Sequence, residues 1–198
     1  MNLLNGRQVA LAMGEWMWYI MGAFDQAHKE ERNRFRHDGV TPHGIHSVFC
    51  ATLVLHEPWL DFATRIKLFL ILLFHDVIED TRAGFPKGLS EDIRQVVLEE
   101  MTYLGGGKEE REQIWNKSPT ARLAKLYDKY SNLLTTKPGA ESWDKVPIHA
   151  AYIRKLADKV EEEHPRVLLN IVPMAQELAQ RRENEYRLWE RHSKVLDA

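Results

Sequence analysis

Apolar positions recur at helical spacing along almost the whole chain, and Val, Ile and Thr never alternate in runs of period two. The single Asn-Gly pair, Asn5-Gly6, sits outside any hairpin context. The pattern predicts an all-α fold of about seven to nine helical segments. The first runs from about Arg7 to about Arg34, and the polar stretch from Arg36 to Pro42 breaks it. A second spans His43 to His56 and stops at Glu57-Pro58; a third spans Asp61 to about Asp80. Ser90 caps a fourth, with Glu91 and Asp92 in its first turn where the helix dipole favours them, and Gly105-Gly106-Gly107 ends it. Ser118-Pro119, a cap followed by a first-turn proline, starts another, which Pro138-Gly139 breaks. Two or three amphipathic helices follow, separated at His164-Pro165 and bent near Pro173.

The third segment is the most informative. Ile66-Lys67-Leu68-Phe69-Leu70-Ile71-Leu72-Leu73-Phe74 carries one charge in nine, so this helix is apolar nearly all round and belongs inside the fold. It runs directly into His75-Asp76-Val77-Ile78-Glu79-Asp80. Ionisable groups at the end of a buried helix are costly unless something compensates them, and a metal ion is the obvious compensator. His75 and Asp76 diverge by about 100° yet both can reach an ion lying off the helix end. Glu79 and Asp80 each follow by one turn on the same faces.

An ion needs ligands from elsewhere. His46 opens a helix after the Pro42 turn, and Asp128 lies in a segment where Lys125, Asp128 and Asn132 form one polar stripe among Leu123, Leu126 and Leu133-Leu134. Two imidazoles and two carboxylates suit Mn²⁺, or Fe²⁺ or another divalent ion, with open water positions, better than a closed structural zinc site.

Composition narrows the classes. Basic and acidic residues number 27 and 29 for a formal charge of −2, which argues against nucleic acid or an anionic membrane as the main partner. A single cysteine, Cys50, rules out a disulfide framework and reads as a small buried hydrophobe in a reducing compartment. The apolar stretch Val9–Phe24 is interrupted by Glu15 and is too short to span a bilayer, so a cytoplasmic protein without a membrane role is expected. The 198 residues fit one domain, with a core over about 7–165 and C-terminal helices over 166–198; the charge-rich last helix could pack on the core or form a homodimer. Gly105-Gly106-Gly107-Lys108 fails the phosphate-loop pattern, since Glu109 follows the lysine, and reads as a flexible link. The remaining histidines show no paired spacing, although His37 and His43 lie in the loop beside the candidate site.

The order His46 … His75-Asp76 … Asp128 resembles the HD-domain metal pattern. His75-Asp76-Val77-Ile78-Glu79-Asp80-Thr81 looks like its RelA/SpoT hydrolase version. Arg36-His37-Asp38-Gly39, Thr41-Pro42 before His46, Met101-Thr102, and the run from Ser118-Pro119 through Lys125, Asp128 and Asn132-Leu133 are similar to further motifs in the same order. The resemblance spans about residues 23 to 134 and is closest to the single-domain small alarmone hydrolases. It implies an all-α HD-domain bundle whose buried central helix ends in the metal site. It further implies Mn²⁺-dependent removal of the 3′-diphosphate from guanosine-3′,5′-bis(diphosphate). His46, His75, Asp76 and Asp128 would hold the ion, and Glu79 and Asp80 would orient water and handle protons. Arg36 would lie against the base, and Lys125 and Asn132 would contact ribose or phosphate. The alternatives are an HD phosphohydrolase acting on another nucleotide, such as the 2′-phosphate of NADPH or a dNTP, and a non-catalytic nucleotide-binding protein. Four positions depart from the family pattern: His37 for lysine, His43 for tyrosine, Ser47 for proline and Ser131 for an aromatic. They are expected around the nucleotide pocket, with none touching a metal ligand.

Overall fold

The computed structural model describes residues 6–30, 42–81, 83–87, 89–101, 107–140 and 142–196. These form eight α-helices: α1 (Gly6–Glu30), α2 (His43–Val54), α3 (Phe62–Asp80), α4 (Glu91–Met101), α5 (Gly107–Gln113), α6 (Pro119–Thr135), α7 (Val146–Glu163) and α8 (Ile171–Leu196). Short 3-10 turns at Ile114–Asn116 and Trp143–Lys145 lead into α6 and α7.

The centre of the fold is α3. Every side chain from Leu68 to Phe74 is buried, and so is Val77, which is what an all-round apolar helix requires. α1, α2, α4 and α6 surround it. Asp61 starts it, accepting hydrogen bonds from the Thr64 amide at 3.0 Å and the Thr64 hydroxyl at 2.6 Å, a cap worth about 1 kcal/mol. Its end is fixed by Thr81, whose hydroxyl donates to the Val77 carbonyl at 2.7 Å and accepts from the Ala83 amide at 3.1 Å. α2 meets α1 through Gly44, where an added Cβ would stand 3.0 Å from Met21 Sδ and 3.2 Å from Phe24 Cδ2. That close approach holds α2 two residues before His46.

α6 is the second axis, in contact with α2, α3, α4, α7 and α8. Ser118 caps it as expected, accepting from the Ala121 amide at 3.2 Å with Pro119 following. The buried Arg122 binds Glu163 through two hydrogen bonds of 2.7 and 2.5 Å and reaches the carbonyls of Ile114, Trp115 and Lys117. At the other end Arg182 from α8 donates to the carbonyls of Leu133 and Leu134, which the helix leaves unsatisfied. α7 and α8 form an antiparallel pair, with Asp158 bonded to Gln176 and Arg154 to Glu183.

Three details differ from the expectation. Pro173 bends nothing: it lies in the first turn of α8, where its missing amide costs no helical hydrogen bond. The glycine run does not simply link helices, because Gly107 opens the short α5. α2 ends at Val54, with His56 in the turn beyond it. The expected extension of α1 to Arg34 falls on residues outside the described ones.

Glu57 ties the turn after α2 to the start of α8. Its buried carboxyl accepts from the Tyr127 hydroxyl at 2.7 Å and from the amides of Asn170 and Ile171 at 2.8 and 2.9 Å. Burial and the facing Glu57 carboxyl push the Tyr127 phenol far up, so it stays a donor. Glu57→Ala strands three buried or half-buried donors and is expected to cost about 3 kcal/mol. Urea unfolding monitored by circular dichroism checks this; an unchanged midpoint would refute it.

Candidate metal centre

Three helices converge where α3 leaves the core. α2 supplies His46, α3 supplies His75 and Asp76, and α6 supplies Asp128, all four buried. His46 Nε2 lies 3.0 Å from Asp128 Oδ1 and 3.6 Å from Asp76 Oδ2. His75 Nε2 lies 2.8 Å from Asp76 Oδ1 and 3.8 Å from Asp128 Oδ1. The two rings stand edge to face with centroids 5.6 Å apart. Among the described residues, one group of His, Cys, Asp and Glu has ligand atoms all within 4.8 Å of one another: His46, His75 and Asp76. Asp128 closes the set through its contacts with both imidazoles.

This buried group could hold a metal ion. The His75 Nδ1–H donates to the Leu72 carbonyl at 2.7 Å, which leaves Nε2 as the ring nitrogen that faces the carboxylates. That Nε2 is buried and makes no geometrically regular hydrogen bond, although Asp76 Oδ1 stands 2.8 Å away. A buried ring nitrogen facing two carboxylates is a place for a cation, a proton in the metal-free protein or a metal ion in its stead. The separations of 2.8 to 3.8 Å also agree with adjacent ligands on an octahedral ion at about 2.1 Å, which stand about 3 Å apart.

Charge is balanced in layers. Burial would raise the Asp76 carboxyl, yet His75 and His46 hold it well below the usual carboxylate range. Burial would also raise Asp128, and Lys129 and Lys125 hold it well below. For His75 burial acts to lower the imidazole, but Asp76 and Asp128 keep it well above its ordinary value. Behind Asp128, the ammonium groups of Lys125 and Lys129 each lie 3.2 Å from Oδ2. The same two lysines stand 3.2 and 2.8 Å from Glu110 Oε1, which they hold ionised against its burial.

Asn132 donates to Asp128 Oδ1 at 2.6 Å. Lys125, expected against ribose or phosphate, is instead 1% exposed and sits on Asp128 and Glu110. Beside it opens a pocket of about 220 Å³, bordered by Lys129, Asn132, Arg111 and His149, with Thr136, Ser142 and Tyr152 among its other walls. Arg36 lies outside the described residues. Glu79 and Asp80 close α3 by their backbone, but their side chains also lie outside what is described.

Two departures from the family pattern land somewhere unexpected. Ser131 Oγ is 2.8 Å from His46 Nδ1, and Ser47 Oγ donates to Asp76 Oδ2 at 3.3 Å. The expectation that no departure touches a candidate ligand therefore fails for both. Each sits on the helix of a candidate ligand, three residues after Asp128 or one after His46, and no pattern of hydroxyls signals that contact. Cys50, expected as a plain hydrophobe, lies with its sulfur 3.5 Å from His46 Nδ1. Glu110 was missed because a helix of seven residues carries too little periodicity to read.

No protein-family model matches this chain, and no curated protein matches it.

Binding of a divalent ion requires bare imidazole nitrogens, so it must displace the proton that the carboxylates stabilise on His75. Mn²⁺ affinity is expected to rise with pH by up to about tenfold per unit across the neutral range, with proton release measurable by calorimetry in buffers of different ionisation enthalpy. The metal-free protein has the opposite trend. A raised His75 contributes stability that is present below the unfolded value of about 6.5 and is lost as pH climbs through its folded value. The depressed Asp76 and Asp128 contribute stability present above about 3.9 and lost as pH falls through their folded values. Melting temperatures with and without Mn²⁺ should therefore diverge as pH rises; parallel curves would refute the linkage.

Proposed function

We propose that this chain is a divalent-metal-dependent nucleotide phosphohydrolase, acting on guanosine-3′,5′-bis(diphosphate) as a 3′-pyrophosphohydrolase. The observation that carries the reading is the buried Nε2 of His75 facing carboxylates from two helices, next to a pocket whose walls include Lys129 and Arg111 alongside Glu110. A solvated helix end has no need of that arrangement, and a purely structural cluster has no need of the pocket.

His46, His75, Asp76 and Asp128 are the residues that would hold the ion, with Mn²⁺ favoured over zinc by the mixed nitrogen and oxygen set. When bound, such an ion acidifies a water and neutralises phosphate oxygens. The chain's own residues do the remainder. Lys129 and Arg111 offer positive charge to the anionic end of the substrate, and Asn132 offers an amide at the boundary between ligand Asp128 and the pocket. Phosphoryl transfer asks mainly for such positioning and charge stabilisation. On the resemblance, Glu79 and Asp80 accept the proton of the attacking water, and Arg36 packs on the base. The pocket is below the usual range of roughly 300–1,000 Å³ for drug-sized ligands, so it suits one end of a nucleotide.

The test is a product-resolved assay of the Mn²⁺-loaded protein with ppGpp, pppGpp, the adenine analogue, NADPH and the dNTPs. The guanosine alarmones should give diphosphate with GDP or GTP. Phosphate from NADPH or triphosphate from a dNTP would move the substrate and keep the reaction class. No turnover of any of them would leave a non-catalytic binding protein. Asp76→Asn is expected to lower turnover by at least about a thousandfold, and Glu79→Gln by about a hundredfold or more with Mn²⁺ affinity retained. Unchanged turnover in Glu79→Gln would remove that residue from the mechanism.

A further inference from the structure

We propose that Ser131 is a positioning residue for the metal centre: its hydroxyl oxygen accepts the Nδ1 proton of His46 and so turns the Nε2 lone pair of that imidazole toward the ion. The inference rests on the reading that the cluster holds a divalent cation, and it goes beyond the ligand set itself.

A neutral imidazole carries one N–H, and only one of its nitrogens can face an ion. For His46 the geometry decides which. Nε2 points at the carboxylates, 3.0 Å from Asp128 Oδ1 and 3.6 Å from Asp76 Oδ2. With an ion on Nε2 the ring's proton must sit on Nδ1, deep in the fold, since His46 is 3% exposed. A buried N–H needs an acceptor. Ser131 Oγ stands 2.8 Å away and is itself 1% exposed, so water does not compete for it. Cys50 Sγ is 3.5 Å from the same nitrogen, but a thiol sulfur is a much weaker acceptor.

The placement is built into one turn of α6. Asp128 and Ser131 are three residues apart, so they share a helix face, and they bracket the His46 ring at its two nitrogens. In the metal-free protein a proton can lie between His46 Nε2 and Asp128 Oδ1; an ion takes that place, and the Nδ1 contact keeps the ring from turning as the exchange occurs. An aromatic residue at 131, the family's usual choice, carries no oxygen next to its Cβ and would have to leave His46 Nδ1 to another partner.

Ser131→Ala should weaken Mn²⁺ binding by about 10- to 100-fold, measured from the electron paramagnetic resonance signal of the free ion, while circular dichroism shows the metal-free protein folded. Ser131→Thr keeps the hydroxyl and should bind within about threefold of wild type. Equal affinity in Ser131→Ala, or a loss in Ser131→Thr as large as in Ser131→Ala, would overturn the assignment. Should Ser131→Ala fail to fold, the wild type decides alone: with zinc as a diamagnetic probe, nitrogen-15 spectra should show the His46 proton on Nδ1 and the metal on Nε2. The reverse assignment overturns the inference. A folded wild type that binds neither Mn²⁺ nor zinc removes the metal reading and this inference together, whereas tight wild-type binding unaffected by the alanine removes the inference alone.

Discussion

The structure depends on a conflict at one helix end. α3 is sheathed in apolar contacts from Leu68 to Phe74, and the next two residues are an imidazole and a carboxylate that remain buried. Neither group can retreat to water without pulling the helix out of the core, and an isolated charge there would cost several kcal/mol. Opposite charge must be brought to them. Because His75 and Asp76 diverge around the helix axis, one neighbour is not enough, and the fold supplies two: α2 with His46 and Ser47, and α6 with Asp128 and Ser131. The close α1–α2 crossing at Gly44 and the anchoring of both ends of α6 by Arg122 and Arg182 follow from the need to hold those two helices in register.

A second layer repeats the conflict at Asp128. This carboxylate faces imidazoles on one oxygen and two ammonium groups on the other. Lys125 is almost wholly buried, and Asp128 and Glu110 both supply opposite charge to it. Such buried ion pairs add little net stability, because desolvation offsets the attraction, but removing one partner leaves a charge that costs about 3–5 kcal/mol. Their consequence is directional. They fix the Asp128 side chain and draw the short α5 against α6 despite its sparse apolar surface.

What the sequence made legible follows from how repetitive each signal is. α3 could be read because nine nearly uninterrupted apolar residues leave few alternatives, and its ionisable end stood out against them. Ser118 could be read because an N-cap is a local event settled within three residues. His46, His75, Asp76 and Asp128 could be named, but that they meet is a property of three helices and not of spacing. Ser47 and Ser131 could not be read at all: a hydroxyl is equally at home on a solvated face, and its worth depends on a ring more than 80 residues away in the case of Ser131. The stripe that carries Lys125 could be read, but its pairing with Glu110, far from it in any helical pattern, could not. Pro173 has two structural meanings, kink or first-turn residue, and only the position of the preceding turn chooses between them.

On the proposed reading, reaction chemistry and substrate choice fall on different parts of the molecule. The cluster that could hold an ion is set by α2, α3 and α6, all locked to the core, whereas the adjoining pocket draws Glu110 and Arg111 from α5 and His149, Tyr152 and Ile153 from α7. Lys129 belongs to both, lining the pocket while its ammonium group is shared between Glu110 and Asp128. On the proposed reading an anionic substrate meets a cation that already has two carboxylate partners. Binding must then compete with Glu110 for Lys129, and any shift of that ammonium changes the field on Asp128, one of the four residues assigned to the ion. A pocket wall can thus change its preference through α5 and α7 without disturbing the core, but not through Lys129, where a change aimed at the substrate would also reach the metal centre.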